Sequence, residues 1–336
     1  MKVGIKQISQ LSGFSQATVS NVLNNKKGVN RETSEKIWKI AKELGYYQQS
    51  LIKTIKFVIF KKHGEVVSDT PFFGALINGV EGGCKLLGYK LEIINIDCKA
   101  PSFSSVLEGL FSDRSSAILL LATEMEKSDI LPFENSPVPV VVLDNWFSNM
   151  TFNSTLINNS DSSCNSVEYL IQNGHTKIGH LKSSIEINNF KYREYGFNRA
   201  MLKAGLALGP EYTFLLRPTT DGSYLDMTNC LKKNPQMPTA FIADNDIIAL
   251  GAMKAIQEAG YSIPEDISVI GFDDIPFCEF FSPSLTTVKV FKENMGEEAV
   301  RMLHMLIQNN GRAHGAALKL EVSTEFMVRN SVKKLN

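Results

Sequence analysis

Two side-chain amides, Gln16 and Asn21, and the methyl of Ala17 lie close together within the stretch Ile5–Asn24. In the major groove of DNA, Gln and Asn form bidentate hydrogen bonds with adenine, and an Ala methyl meets the methyl of thymine. Gln16, Ala17, Ser20 and Asn21 fall on one side of a short helix, and Val19, Val22 and Leu23 fall on the other. Around them stand Ser15, Thr18, Ser20, Asn30 and Thr33, with Lys2, Lys26 and Lys27. These residue types suit phosphate contacts, which set register and salt dependence rather than sequence choice. Ser15 and Asn30 also serve as helix caps, and Lys26 and Lys27 as a solvated loop.

To present such side chains, the chain must build a helix, a tight turn and a second helix. The spacing predicts helix 1 over Lys6–Ser12, with Ile8 and Leu11 on one face. Gly13 supplies the positive φ of the turn. Helix 2 runs over Gln16–Leu23, behind Ser15 as N-cap. After a polar loop, Asn30 caps a third helix, in which Ile37, Ile40, Ala41 and Leu44 recur at helical spacing until Gly45. Such a helix-turn-helix has one main use, which is to set the start of its second helix in the major groove. The charge agrees. Net charge is zero, yet residues 1–55 hold nine Lys or Arg against three Asp or Glu, leaving an acidic remainder. A basic head on an acidic body suits a chain whose head alone meets phosphate.

Beyond a short connection at 46–54 the pattern changes. Continuous apolar strands at 56–60, 91–96, 117–121, 138–143, 177–181, 239–243 and 268–271 alternate with helices at 71–87, 162–173, 193–204, 247–259 and 293–308. That alternation predicts parallel sheets covered on both faces, and 280 residues divide more naturally into two α/β lobes than into one sheet. Seams fall at 158–160 and 283–290, with a third crossing near 322–324. The division is 1–46 for the helical head, 47–54 for a linker, 55–158 plus 290–322 for one lobe, and 159–289 plus 323–333 for the other. Ligands of open α/β sheets bind at strand carboxyl ends, so a cleft between facing lobes is the expected site.

Five scattered cysteines and five histidines make no metal-ligand spacing, which argues for reduced thiols and no metal. No apolar run approaches the roughly 20 residues of a membrane helix. No apolar signal core follows the charged start, so a cytoplasmic protein without membrane partners is expected.

Several stretches in order resemble the lactose/galactose repressor (LacI/GalR) family of bacterial transcription regulators. They are Ile5–Ile8, Ser15–Asn24 and Val29–Thr33 in the head, and Arg193–Phe197, Asn245–Gly251, Val269–Asp274 and Pro283–Val288 in the body. The resemblance implies an all-α helix-turn-helix domain followed by a two-lobed, periplasmic-binding-protein-like (type I) α/β effector domain. It also implies a homodimer, a pseudo-palindromic double-stranded DNA operator, and a small effector that changes operator affinity. By motif position, Phe72 and Phe73 open the first body helix and face the ligand, and Arg193 stands three residues before Gly196, where the family places a ligand-binding Arg. Asp144, with Trp146 just beyond, Asn245 and Asp273 follow strands. Asn189 and Asp221 are candidates from neighbouring loops. Core packing for the phenylalanines and an Arg193–Asp273 ion pair are the competing readings. Charged planar groups beside aromatics suit a carbohydrate or a nucleoside. Phe277, Phe280 and Phe281 form either buried core or a dimer interface, which the resemblance favours. No leucine heptads close the chain, so dimers rather than tetramers are expected.

One departure stands out. Family members follow the third helix with Arg-Pro-Asn and an Ala-Arg-x-Leu hinge helix. Here Gly45-Tyr46 leads through Tyr47–Thr54 straight into the first strand, with Leu51 a candidate minor-groove wedge that sits early relative to the motif. Competing functions are an α/β enzyme and a non-regulatory sugar- or nucleoside-binding protein. The chain lacks G-x-S-x-G, G-x-G-x-x-G, P-loop and H-E-x-x-H motifs, which argues against an enzyme and any cofactor. The basic head argues against a plain transport protein.

Overall fold

The computed structural model describes residues 4–23, 29–44, 46, 52–67, 71–149, 151–308 and 316–335. Lys2, Lys26, Lys27, Gly45 and Leu51, with most of the linker, lie outside them.

The head packs α1 (Ile5–Ser12), α2 (Gln16–Leu23) and α3 (Arg31–Glu43) around Ile8, Val19, Val22, Leu23, Ile37 and Ala41. Gly13 takes φ +74° and its N–H closes α1 on the Ser9 carbonyl. One expectation fails here. Leu11 is 60% exposed, and Ser12 takes the buried place instead, one turn beyond Ile8. Positions i and i+4 share a helix face more closely than i and i+3 do when the stripe is this narrow.

The N-terminal lobe is built from β1 (Thr54–Lys61), α4 (Pro71–Leu87), β2 (Lys90–Asp97), α5 (Phe103–Ser112), β3 (Ser116–Leu121), α6 (Lys127–Glu134), β4 (Val140–Leu143) and β5 (Asn153–Ile157). The C-terminal lobe follows with α7 (Asn159–Gln172), β6 (Ile178–Ser183), α8 (Asn188–Lys203), β7 (Thr213–Leu216), α9 (Thr220–Leu231), β8 (Ala240–Ala243), α10 (Asp246–Glu258), β9 (Ser268–Ile270) and α11 (Phe277–Phe280). Then come β10 (Thr287–Val290), α12 (Lys292–Gln308), β11 (Lys319–Val322) and β12 (Thr324–Met327).

The first sheet has the order β11-β5-β4-β3-β1-β2 and the second β7-β6-β8-β9, and all pairings within both are parallel. β10 and β12 pair antiparallel in a separate ribbon. The chain therefore crosses between lobes after β5, after β10 and after β11. Buried strands such as Ser116–Leu121 and Val140–Leu143 need helices on both faces, and the helices supply them. Among the described residues no helix is long and apolar enough to cross a membrane.

α4 and α12 lie closer than ordinary side chains permit. A Cβ on Gly79 would sit 2.0 Å from the Glu293 carbonyl oxygen, and one on Gly296 would sit 2.6 Å from that of Leu76. Beside this contact α4 buries Phe72, Phe73, Leu76, Val80 and Cys84. Each large apolar side chain there contributes roughly 1.5–3 kcal/mol of transfer free energy.

Candidate DNA-reading head and interlobe site

In the head, Ser15 Oγ accepts the Thr18 N–H at 3.1 Å, and Asn30 Oδ1 accepts the Thr33 N–H at 2.7 Å. Both residues are thus N-caps, and each satisfies an otherwise unpaired helix donor. Gln16, Ala17 and Asn21 are exposed on one side of α2, opposite Val19, Val22 and Leu23. Thr18, Ser20 and Thr33 are half-buried. The head thus presents two amides and a methyl at the start of a helix anchored from behind.

In the body, the strand ends converge. Asp144 follows β4, Thr123 lies just past β3, Asn245 ends the β8 turn and Asp273 follows β9. The carboxylates Asp144 and Asp273 have φ of 63° and 115°. Such values are strained for non-glycine residues and cluster at functional sites. Thr123 donates to Asp144 at 2.6 Å, and the Asn189 amide reaches the Asp144 side chain at 3.0 Å and its carbonyl at 3.2 Å, across the lobes. Asn159 in turn donates to Asn189 at 3.1 Å and accepts from Arg193 Nε at 2.9 Å.

Arg193 is the centre of this arrangement. It lies within α8, which starts at Asn188 rather than at the expected 193, because Ile187 is extended and the polar residues after it begin the first turn. The guanidinium donates to the Asp244 carbonyl, approaches Asp273 at 3.4 Å, and lies 3.6 Å from the Phe272 ring centroid. Asp244 is itself fixed by His180 at 2.8 Å and by the Ser183 N–H at 2.7 Å. Burial pushes the Asp144 carboxyl up to about 6 against the pull of Thr123, Arg193 and Asn189. Burial likewise raises Asp273 to about 7, partly offset by Arg193. Arg193 is therefore held between two carboxyls that are reluctant to ionise.

Of these, Thr123, Asp144, Asn189, Arg193 and Asp273 line one interlobe cavity, together with Val66, Phe72, Phe73, Ile187, Phe190, Asn245, Ile247 and Ile275. Its free volume is about 30 Å³. That is the share of one liquid water, whereas ligand pockets usually hold roughly 300–1,000 Å³. The lobes stand closed, with Asn188 bonded to Asn145 at 3.0 Å and Val66 packed on Ile187 and Phe190. Phe72 and Phe73 belong to the hydrophobic core and to the cavity wall at once, so the two readings of them coexist.

Of the sequence candidates, Phe72, Phe73, Asp144, Asn189, Arg193, Asn245 and Asp273 are brought together. Trp146 and Asp221 are not. The Trp146 ring points away and carries the Lys319 ammonium at 4.4 Å. Asp221, two residues past the Thr219 cap of α9, lies instead on an outer groove of about 410 Å³ with Tyr224, Leu250, Phe277, Phe280 and Phe281. Phe280 is 84% exposed and Phe277 is also exposed, so neither is core. Thr123, Asn159, Phe190 and Asp244 were missed by sequence reasoning. Thr123 and Asp244 follow strands and were findable by the strand-end rule. Asn159 and Phe190 start helices whose polar first turns gave no helical period.

Glu124 also shapes the cavity. Its two oxygens accept the backbone N–H groups of Lys62, His63, Gly64, Val66 and Val67 at 2.8–3.1 Å. Burial would raise its pKa, but these donors outweigh burial and hold it below the usual value. The loop that brings Val66 to the cavity is thereby fixed.

Residues 4–49 match the family described as bacterial regulatory proteins, lacI family, and residues 167–332 match the periplasmic binding protein-like domain. The HTH-type transcriptional repressor PurR of Glaesserella parasuis is 32% identical over 338 residues, spanning 99% of both chains. PurR of Mannheimia succiniciproducens is 33% identical over 337 residues, spanning 98% of this chain and 99% of that one. Among solved structures, a CelR–cellobiose complex shares 23% identity at a TM-score of 0.73, over 98% of this chain and 99% of that one. The lac repressor dimer bound to operator and the anti-inducer ONPF shares 21% identity at 0.72, over 99% and 100%.

Proposed function

The chain belongs to the lacI family of bacterial regulatory proteins, and we propose that this DNA-binding transcriptional repressor is controlled by a neutral carbohydrate bound between its lobes. That it is a ligand-responsive repressor rather than an enzyme follows from its family. The carbohydrate is our reading, and the observation that carries it is Arg193. A guanidinium is fixed by Asn159, the Asp244 carbonyl and Asp273 and faces a cavity that holds Asp144 and is walled by Phe72, Phe73 and Phe190. Carboxyls, amides and one guanidinium match a ligand rich in hydroxyls, and aromatic faces cover its apolar side. The contacting residues are Phe72, Phe73, Asp144, Asn189, Arg193, Asn245 and Asp273.

Gln16, Ala17 and Asn21 read bases, with Ser15, Thr18, Ser20, Asn30 and Thr33 against phosphate. Residues 1–46 form the reader, and the lobes divide at 55–158 with 290–322 and 159–289 with 323–333. Two copies meet through Phe277, Phe280 and Phe281 and address a pseudo-palindromic operator with half-sites about one helical turn apart. Effector shifts this equilibrium only through unequal affinity for two lobe arrangements. The closed lobes must separate before a sugar-sized molecule enters.

Thermal unfolding in the presence of a sugar library tests this reading. One sugar should raise the midpoint, and Arg193→Ala should abolish the rise. A rise retained by that variant would sink the assignment. A nucleobase-containing ligand is the second reading, favoured by the three phenylalanine rings, and a parallel nucleoside panel separates the two.

A further inference from the structure

Among the described residues, the head meets the body at the corner between α5 and β3. Arg114, between α5 and β3, lies over the Trp38 ring of α3, 5.3 Å from its centroid. Both side chains are half-buried. The corner that carries Arg114 is rigid. Asp113 accepts from the Ser115 N–H and Oγ at 3.0 and 2.6 Å and pairs with the buried Lys56 of β1 at 2.6 Å. The Ser115 carbonyl accepts the Lys53 N–H at 3.2 Å. Arg31 shares the Trp38 face of α3, two turns earlier, and its guanidinium is raised first by its Glu35 partner and also by Glu108 of α5.

The tether supports a docked head. Tyr46 packs on the head core and Ile52 on the body core. The residues between them span at most about 20 Å even when extended. A tether that short keeps the head close to this corner of the lobe, so the contact forms within one molecule. The DNA-reading side stays free. Thr33 lies about 200° around α3 from Arg31, and Gln16, Ala17 and Asn21 are exposed.

We propose that the head docks on its own N-terminal lobe through Trp38 and Arg114, so that lobe and head rotate as one body in a chain whose sequence lacks the family's hinge-helix motif. Rotation of the lobe then re-aims the recognition helix directly.

Trp38 reports on this once Trp146, the second of the chain's two tryptophans, is removed. In the Trp146→Phe protein, the anisotropy of Trp38 should decay with the tumbling time of the whole body. Adding Arg114→Ala should introduce a fast, head-sized component and raise acrylamide quenching about twofold. Glu108→Arg, which repels Arg31, should act in the same direction, as should raising salt well above 0.1 M. A head-sized component already present at low salt in the Trp146→Phe protein, or unchanged quenching on Arg114→Ala, overturns the proposal. Binding of a random-sequence DNA duplex should be unchanged by Arg114→Ala; tighter binding by the undocked head would overturn the claim that docking leaves the DNA side free. The readout is head motion and needs neither operator nor effector, so it succeeds or fails separately from the effector reading above.

Discussion

The interlobe cavity and the groove over Phe280 are opposites built in one body. The cavity carries an arginine, two carboxyls and amides among its apolar lining and leaves about 30 Å³ free. The groove is lined mainly by apolar side chains and leaves about 410 Å³ free. A reader seeking a binding site by size would choose the groove. Chemistry points the other way. A buried arginine between two carboxyls needs a reason beyond stability, because a well-packed apolar cluster would serve stability as well or better. An apolar groove rimmed by an 84% exposed phenylalanine is what an uncovered protein contact looks like.

The sharpest way to break this contrast is to remove the charge at the centre of the cavity. Arg193→Ala leaves Asp273 and Asp144 buried without their cation and should destabilise the body by about 3–5 kcal/mol in denaturant unfolding. A change below about 1 kcal/mol would make the pair a bystander. On the groove side, Phe280→Asp should weaken self-association by about 2 kcal/mol or more, read by sedimentation, while the unfolding midpoint of the separated protomer stays put. Unchanged association would return the groove to solvent.

The head lies between these extremes, because its functional face is exposed and its caps are satisfied within the fold. Gln16→Ala or Asn21→Ala should reduce discrimination between operator and random duplex by roughly 1–3 kcal/mol. Equal weakening on both DNAs would reassign the residue to phosphate contact.

The smallest expected effect is on pH. Asp273 and Asp144 have folded pKa values of about 7 and about 6, raised by burial above the unfolded value. Their contribution is fully present below about pH 4 and is lost as pH rises through 6 to 7. The unfolding midpoint should therefore fall by a few degrees between pH 5 and 8, and Asp273→Asn should flatten that slope. A slope unchanged in the variant would place the titration elsewhere.

The sequence made the strongly periodic elements legible and hid the polar ones. β1, β3 and β4 read as strands because each carries an unbroken apolar run, Phe57–Phe60, Ala117–Leu121 and Val140–Leu143. β5 did not, because Asn153, Ser154 and Thr155 are buried polar residues whose role is tertiary; the Asn153 side chain, for one, accepts the Leu318 N–H at 2.8 Å. α8 was placed five residues late, since Asn188, Asn189 and Lys191 carry no apolar period, although Asn189 crosses the lobes to Asp144. The side chains that join the two lobes are the ones that local pattern cannot see. Asp144, Asn245 and Asp273 were readable for a different reason, because a strand's carboxyl end can be found without knowing its partner. Trp146 and Asp221 show the limit of that rule, since nearness in sequence to a strand or helix end does not fix where a side chain points.

The glycine contact between α4 and α12 has a mechanical consequence. α4 begins with Phe72 and Phe73 at the cavity, and α12 begins with Lys292, whose ammonium grips the carbonyls of Asp273 and Asp274 beyond the crossover. With backbone set against backbone at Gly79 and Gly296, there is no compliant layer of side chains between the helices to absorb a push. A molecule that pushes α4 as a whole therefore moves α12 with it, much as a gear with no backlash passes on every small turn.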